Sequence, residues 1–421
     1  MTIIAVNKSA KAPTTSTTSA KQWAIPLALL TCVILSFFDK ISIAVLLAIP
    51  AFQADMGVVG DTTKLGWLMS AFLISYGFSS MFLSSLADVI SPKRCLYAIM
   101  IVTALIMALM GLVDNYQHML TLRIVLGVVE GPLFGIAYAI VKRSFPLREQ
   151  ARATMLWIIG TPIGAMIGFP LTFQILQTFG WRATFFTMAL LTIPILLLMW
   201  AVFRNQLHLD HTTPEGEQRD RQPISAKAYL SACRELLANT PFVAVCLFNA
   251  ALLSYLWGLN SWLPTYLTQE RGVQLRDAGL VSAIPFVSML LGQFVGASLS
   301  DRYDRRALMC ALPLIFAGVG ILALLAFDNS VLAIAALAFS TFCWGMVPPS
   351  IFTLVGKLAP ADKISSYGGV ANGFGNLTSA FMPVAIGALI AFTGSVNFGL
   401  LFMALLALIG GALLLPLVRR Y

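Results

Sequence analysis

Residues 182–203 read RATFFTMALLTIPILLLMWAVF, and the only charged side chain among them is Arg182 at the first position. A bilayer's hydrocarbon core is about 30 Å thick and a helix rises about 1.5 Å per residue, so about twenty apolar residues cross it. This stretch is long enough to span and too apolar to sit in water.

Working outward, the same reading recurs along the chain. Expected spans are 24–50, 62–88, 95–113, 117–141, 151–177 and 182–203 in the first half. The second half gives 241–268, 277–299, 307–327, 330–356, 365–391 and 396–417. Composition agrees: 58% of the 421 residues are hydrophobic and 11% charged, where soluble domains carry about 25% charge. Lipid supplies the apolar surroundings that such a chain could not find in its own core. The expected fold is an all-α membrane protein with about twelve transmembrane helices.

Two six-helix bundles are expected, 21–203 and 241–421. Residues 1–20, rich in Ser, Thr, Ala and Lys with no acidic residue, read as a disordered tail. Residues 204–240 are the one long polar stretch and read as a linker.

The formal charge of +9 is distributed by loop. Lys8, Lys11 and Lys21 precede the first span, and Lys93 and Arg94 follow the second. Lys142, Arg143, Arg148 and Arg152 follow the fourth, Arg302, Arg305 and Arg306 the eighth, and Arg419 and Arg420 end the chain. The alternate loops carry chiefly Lys64, Arg182, Arg271 and Arg276. This bias predicts cytoplasmic termini, as a multi-pass protein of a bacterial cytoplasmic (inner) membrane. The basic residues form no patch with interleaved aromatics, so no nucleic-acid partner is expected. None of the six cysteines forms a Cys-x-x-Cys pair, and His208 and His211 sit in the polar linker. No metal or cofactor is expected. Without a nucleophile–base set in the membrane, the chain does not read as an enzyme.

An internal repeat is legible. Asp88 and Asp301 each end a second span of their half and stand 213 residues apart, as do Gly66 and Gly279 at the span starts. Both acids precede basic residues. They are expected to gate the cytoplasmic side together with Arg302, each carboxylate pairing with loop arginines to hold the bundles closed.

Asp301-Arg302-x-Asp304-Arg305-Arg306 resembles the Asp-Arg-x-Gly-Arg-Arg loop signature of major facilitator transporters. The copy after the second span is degraded, with Val89 in the arginine's place and Ser91 and Pro92 replacing the glycine and the next basic residue. Further matches are Phe38-Asp39-Lys40, Arg123…Glu130-Gly131-Pro132, Phe145-Pro146-Leu147-Arg148-Glu149-Gln150, Gly180-Trp181-Arg182 and Trp262-Leu263-Pro264-Thr265-Tyr266. Together these resemble the anion:cation symporter branch of that superfamily, which includes hexonate and sugar-acid uptake proteins. The resemblance implies the major facilitator fold and assigns Lys40 to substrate binding. Branch members place arginine there; lysine offers a point charge instead of a planar fork.

A charge at mid-membrane costs about 2.5–3.5 kcal/mol on insertion scales, so four in the first half demand a reason. Arg123 and Glu130 are seven residues apart, two turns, and share a helix face with Gly127. Asp39 and Lys40 are neighbours and diverge by about 100°. The functional reading has Arg123 and Lys40 attract a carboxylate while Asp39 and Glu130 exchange protons. The plainer reading is two buried ion pairs joining the first and fourth spans. On the opposite wall, Tyr255, Asn260, Trp344, Asn372 and Asn376 suit hydroxyl recognition, or else interhelical hydrogen bonding.

The expected function is proton-coupled symport of a small organic anion, such as a sugar acid or hydroxycarboxylate, by a monomer in the lipid bilayer. The alternative is a proton-coupled exporter of an amphipathic compound, which Gly160, Gly164 and Gly168 with Pro162 and Pro170 keep open.

Overall fold

The computed structural model describes residues 22–83, 91–206, 209, 239–303, 305–358 and 364–420. The first bundle holds α1 (Ala24–Leu47), the short α2 (Pro50–Asp55), α3 (Thr62–Leu83) and α4 (Pro92–Met110). It continues with α5 (Tyr116–Glu130), α6 (Leu133–Ser144), α7 (Leu147–Ile158), α8 (Gly160–Phe179) and α9 (Trp181–Phe203). The second holds α10 (Thr240–Thr265), running into a π-helical turn at Tyr266–Glu270, then α11 (Leu275–Tyr303) and α12 (Arg306–Ala326). It ends with α13 (Ser330–Gly345), α14 (Pro348–Leu358), α15 (Ile364–Ser379), α16 (Met382–Thr393) and α17 (Val396–Leu414).

Among the described residues, 11 helical segments are long and apolar enough to cross a membrane. The 22-residue α3 completes the expected twelve. Four spans expected as continuous are each two helices. The fourth divides at Gly131-Pro132 between α5 and α6, and the fifth at Ile159 between α7 and α8. The tenth divides before Pro348-Pro349 and the eleventh just before Met382-Pro383. Proline has no N–H to donate and its ring crowds the preceding turn, so three of the four breaks fall where the sequence places one.

The two bundles meet at the end remote from the termini. Thr62 Oγ1 donates to the Gly387 carbonyl at 2.7 Å, and the Val384 N–H donates to Ser70 Oγ at 3.1 Å. A Cβ on Gly66 would lie 2.6 Å from the Pro383 carbonyl oxygen, and one on Gly279 would lie 2.9 Å from Pro170 Cα. Gly66 and Gly279 are 213 residues apart, and so are their partners Pro170 and Pro383. The repeat is therefore a pair of matching inter-bundle contacts: each half's glycine receives the other half's proline-bearing helix. Deeper in, Phe169 stacks on Phe286 at 5.4 Å and Phe37 on Trp257 at 6.2 Å. Gly66→Leu should wedge this end apart. Spin-label distances across it should lengthen, and an unchanged distribution would count against this contact as the closure.

Within each bundle, the end of the first span is tied to the start of the last. Asp55 Oδ2 accepts from Trp181 Nε1 at 2.9 Å and from Arg182 Nη1 at 2.7 Å, while Arg182 Nη2 donates to Asp114 at 2.9 Å. The Trp181 indole and Arg182 hold the Asp55 carboxyl below its usual range. In the second bundle Glu270 Oε1 accepts from Ser395 Oγ and the Val396 N–H, both at 2.7 Å, and Oε2 accepts from Asn397 Nδ2 at 3.1 Å. Asp55 and Glu270 are 215 residues apart, as are Arg182 and Asn397. The carboxylates thus repeat with the fold, and each makes its own bundle rigid at that end.

Asp88 and most of residues 204–240 lie outside the described residues. Asp301 lies in α11. Arg302 is exposed there, its guanidinium 5.8 Å from the Tyr303 ring centroid.

Candidate functional site

Among the described residues, the buried charged side chains are Asp39, Lys40, Arg123 and Glu130. All four come from α1 and α5. Their depth follows from how closely α5 packs on α3: a Cβ on Gly127 would collide with Ser75 Oγ and the Phe72 carbonyl. Glycine at that position lets the face bearing Arg123 and Glu130 approach the neighbouring backbone. Helix α1 stays helical through Asp39-Lys40, so the two side chains diverge toward different partners.

They form two unequal pairs. Lys40 Nζ lies 3.1 Å from Glu130 Oε2 and donates to Ser36 Oγ at 2.7 Å. Ser36 in turn donates to the same Glu130 oxygen at 2.7 Å, closing a three-membered network. Four rings surround the ammonium: Tyr76 at 4.7 Å, Phe37 at 5.6 Å, Phe72 at 5.7 Å and Phe134 at 6.0 Å from centroid to Nζ. Ring faces present negative potential to a cation, and without water between them the attraction is substantial. Lys40 is enclosed.

Arg123 is held more loosely. Its Nε donates to the Leu68 carbonyl at 3.0 Å, Nη2 approaches Met69 Sδ at 3.7 Å, and its guanidinium lies 4.4 Å from the Phe72 centroid. Its closest approach to Asp39 is 4.0 Å, from Nη1 to Oδ1. That exceeds a hydrogen bond, and Nη1 and both Asp39 oxygens are buried without a partner. Buried polar atoms are nearly always satisfied, so each exception calls for an explanation.

On the second bundle, Tyr255 and Trp344 stack on each other at 6.4 Å. Ser340 donates to the Ala317 carbonyl at 2.5 Å, so the Tyr255 hydroxyl is the donor in its 2.6 Å bond to Ser340. Trp344 Nε1 donates to the Leu252 carbonyl at 2.8 Å. Both polar tips are engaged within their own bundle. Asn372 and Asn376 share a face of α15 as expected and bond to each other, Asn376 Nδ2 donating to Asn372 Oδ1 at 3.1 Å. Asn372 is exposed and Asn376 half-buried. Asn260 differs from all of these. It is fully buried, and neither Oδ1 nor Nδ2 has a partner. It lies one turn past Trp257, whose ring stacks on Phe37 of α1.

The Major Facilitator Superfamily model matches residues 29–383. The chain belongs to that superfamily. A transporter of this superfamily is a multi-pass membrane protein and not an enzyme.

Curated relatives align over nearly the whole superfamily fold. A probable L-galactonate transporter of Escherichia coli K12 is 22% identical, covering 92% of this chain and 87% of the relative. A probable galactarate/D-glucarate transporter of the same organism is 25% identical, covering 84% of each chain. A quinolone resistance transporter of Acinetobacter baumannii is 25% identical, covering 85% of each. Among solved structures, a bacterial homologue of the human lysosomal transporter Spinster, inward-facing and unoccupied, superposes with a TM-score of 0.76. It is 16% identical over 96% of this chain and 98% of that one.

In this major facilitator site the sequence reading missed Ser36 and the ring enclosure of Lys40. Ser36 stands four residues before Lys40, a spacing that puts both on one helix face. Phe72 and Tyr76 belong to α3, and nothing local assigns them to Lys40.

Proposed function

We propose that this transporter moves a sugar acid of the hexonate or hexuronate type into the cell together with protons. The observation that carries the reading is the loose Asp39–Arg123 pair, with buried polar atoms left open on both sides. An arriving carboxylate is the natural partner for Arg123. Asp39, relieved of its cation, is the natural acceptor for a proton. Lys40 adds positive potential from its enclosed position, and Glu130 is the second acid. Asn260 offers a neutral amide to a hydroxyl from across the bundle interface, with Tyr255 and Trp344 behind it, and Asn372 and Asn376 serve further hydroxyls. Asp88, Asp301 and Arg302 act as the gate at the opposite end. The relatives' names support the substrate class.

With both termini cytoplasmic in the inner membrane, as the loop charges favour, the end sealed by Gly66 and Gly279 faces outward. With the seal on the outer side, substrate release is toward the cytoplasm. The protein works as a monomer, each bundle rocking as a unit.

The test is uptake into proteoliposomes of a panel of labelled sugar acids, with and without an imposed pH gradient. Gradient-stimulated accumulation of at least one is expected. No uptake of any sugar acid, with a quinolone expelled against its gradient instead, would replace this reading with proton-driven export.

A further inference from the structure

We propose that the transported sugar acid carries a single carboxylate, seated at Arg123, and that dicarboxylic sugar acids are rejected. This rests on the sugar-acid reading above and narrows it.

A second carboxylate needs a second cation, and the described residues offer no free one beside Arg123. Lys40 is the only other buried cation among the described residues. Its ammonium already serves Ser36 at 2.7 Å and Glu130 at 3.1 Å. Phe37, Phe72, Tyr76 and Phe134, all within 6.0 Å, close the remaining approaches. Arg123, by contrast, has Nη1 unpartnered and Nη2 held only by a thioether sulfur at 3.7 Å. One guanidinium fork takes one carboxylate.

The far end of a six-carbon acid would meet the second bundle. Among the described residues that bundle contributes no fully buried charged side chain, and its buried unpartnered groups include the amide of Asn260 and the hydroxyls of Thr265 and Ser282, none of them cationic. Helices α1 and α10 run the same way and meet through the Phe37–Trp257 stack, so Asn260 lies at about the depth of Lys40, one turn on. An amide gives a hydroxyl both a donor and an acceptor. It cannot neutralise a carboxylate, which would be desolvated without a counter-ion.

Charge balance points the same way. The cluster holds two basic and two acidic side chains, which balance when all four are ionised. A monoanion with one proton leaves it neutral. A dianion requires two protons, one of them on Glu130, which strips Lys40 of its partner.

The experiment is equilibrium binding by the purified full-length protein of two matched open-chain pairs, galactonate with galactarate and gluconate with glucarate, beside glucuronate as a cyclic monoacid. Within each pair the acids differ chiefly in the second carboxylate. The monoacid of at least one pair is expected to bind, with its diacid more than tenfold weaker. Diacid binding within tenfold of the monoacid, or tighter, overturns the proposal and leaves the sugar-acid reading standing. Binding of none of the five overturns both. Measurement on the unmodified protein keeps the result independent of any variant's folding.

Discussion

Arg123→Ala abolishes binding of the anion, and Arg123→Lys keeps a weakened remnant of it. The guanidinium is the cation whose hydrogen bonds are not already used: Nε is held by Leu68, while Nη1 has no partner. Removing one member of a desolvated charge pair costs roughly 2–5 kcal/mol of affinity. That corresponds to binding about thirtyfold to several thousandfold weaker. Part of the change is structural, because the alanine variant leaves Asp39 without its cation in the interior, which costs up to about 3–5 kcal/mol. The lysine variant separates the two effects. It retains the charge that Asp39 needs and loses the planar fork that the carboxylate needs. Isothermal titration with the best-bound monoacid, beside thermal unfolding of each variant, reads both. Normal affinity in Arg123→Lys would show that geometry at this residue is irrelevant. Normal affinity in Arg123→Ala would remove the anion site from α5 altogether.

Asp39→Asn and Glu130→Gln separate exchange from accumulation. In proteoliposomes each variant should still exchange labelled for unlabelled substrate, yet accumulate none when a pH gradient is imposed. An anion at Arg123 displaces the 4.0 Å interaction with Asp39. A carboxylate without its cation in a dry interior keeps a proton. When the anion leaves on the other side, Arg123 returns to Asp39 and the proton is released. Glu130 stands two turns from Arg123 on the same face of α5, so its ionised form opposes the arriving charge. Asparagine and glutamine preserve shape and cannot cycle a proton. Gradient-driven accumulation at the unmodified level in both would exclude these acids as carriers. The same vesicles count protons. One proton per monoanion moves no net charge. A second moves one, which contributes about 2.3 kcal/mol per 100 mV and makes accumulation depend steeply on an imposed potential.

Much of this was open to inspection in the residues alone. Runs such as 182–203 make the chain a membrane helix bundle whatever its neighbours do, because each long apolar run must satisfy its backbone internally in lipid. Gly66 and Gly279 announced the repeat, and Arg123 and Glu130 a shared helix face. Those are one-dimensional properties, periods of 3.6 residues and a recurrence at 213.

The pairing was not open in that way. Asp39 and Lys40 are adjacent in sequence, and either could have met Arg123. The choice is made by the rotation of α1 against α5 and by α3, which brings Phe72 and Tyr76 to the ammonium and the Leu68 carbonyl to the guanidinium. Tyr255 and Trp344 read as hydroxyl contacts until α13 placed Ser340 beside one and the Leu252 carbonyl met the other. Asn260 read no differently from Asn372, and only packing left its amide buried and unpartnered. Sequence determined the membrane, the two bundles and the identity of the buried charges, since these follow from hydropathy and spacing within single helices. Tertiary structure alone decided which charge has its partners and which, equally buried, leaves a donor unpaired. Hydrogen bonds act over about 3 Å, and the atoms within that reach come from helices distant in the chain.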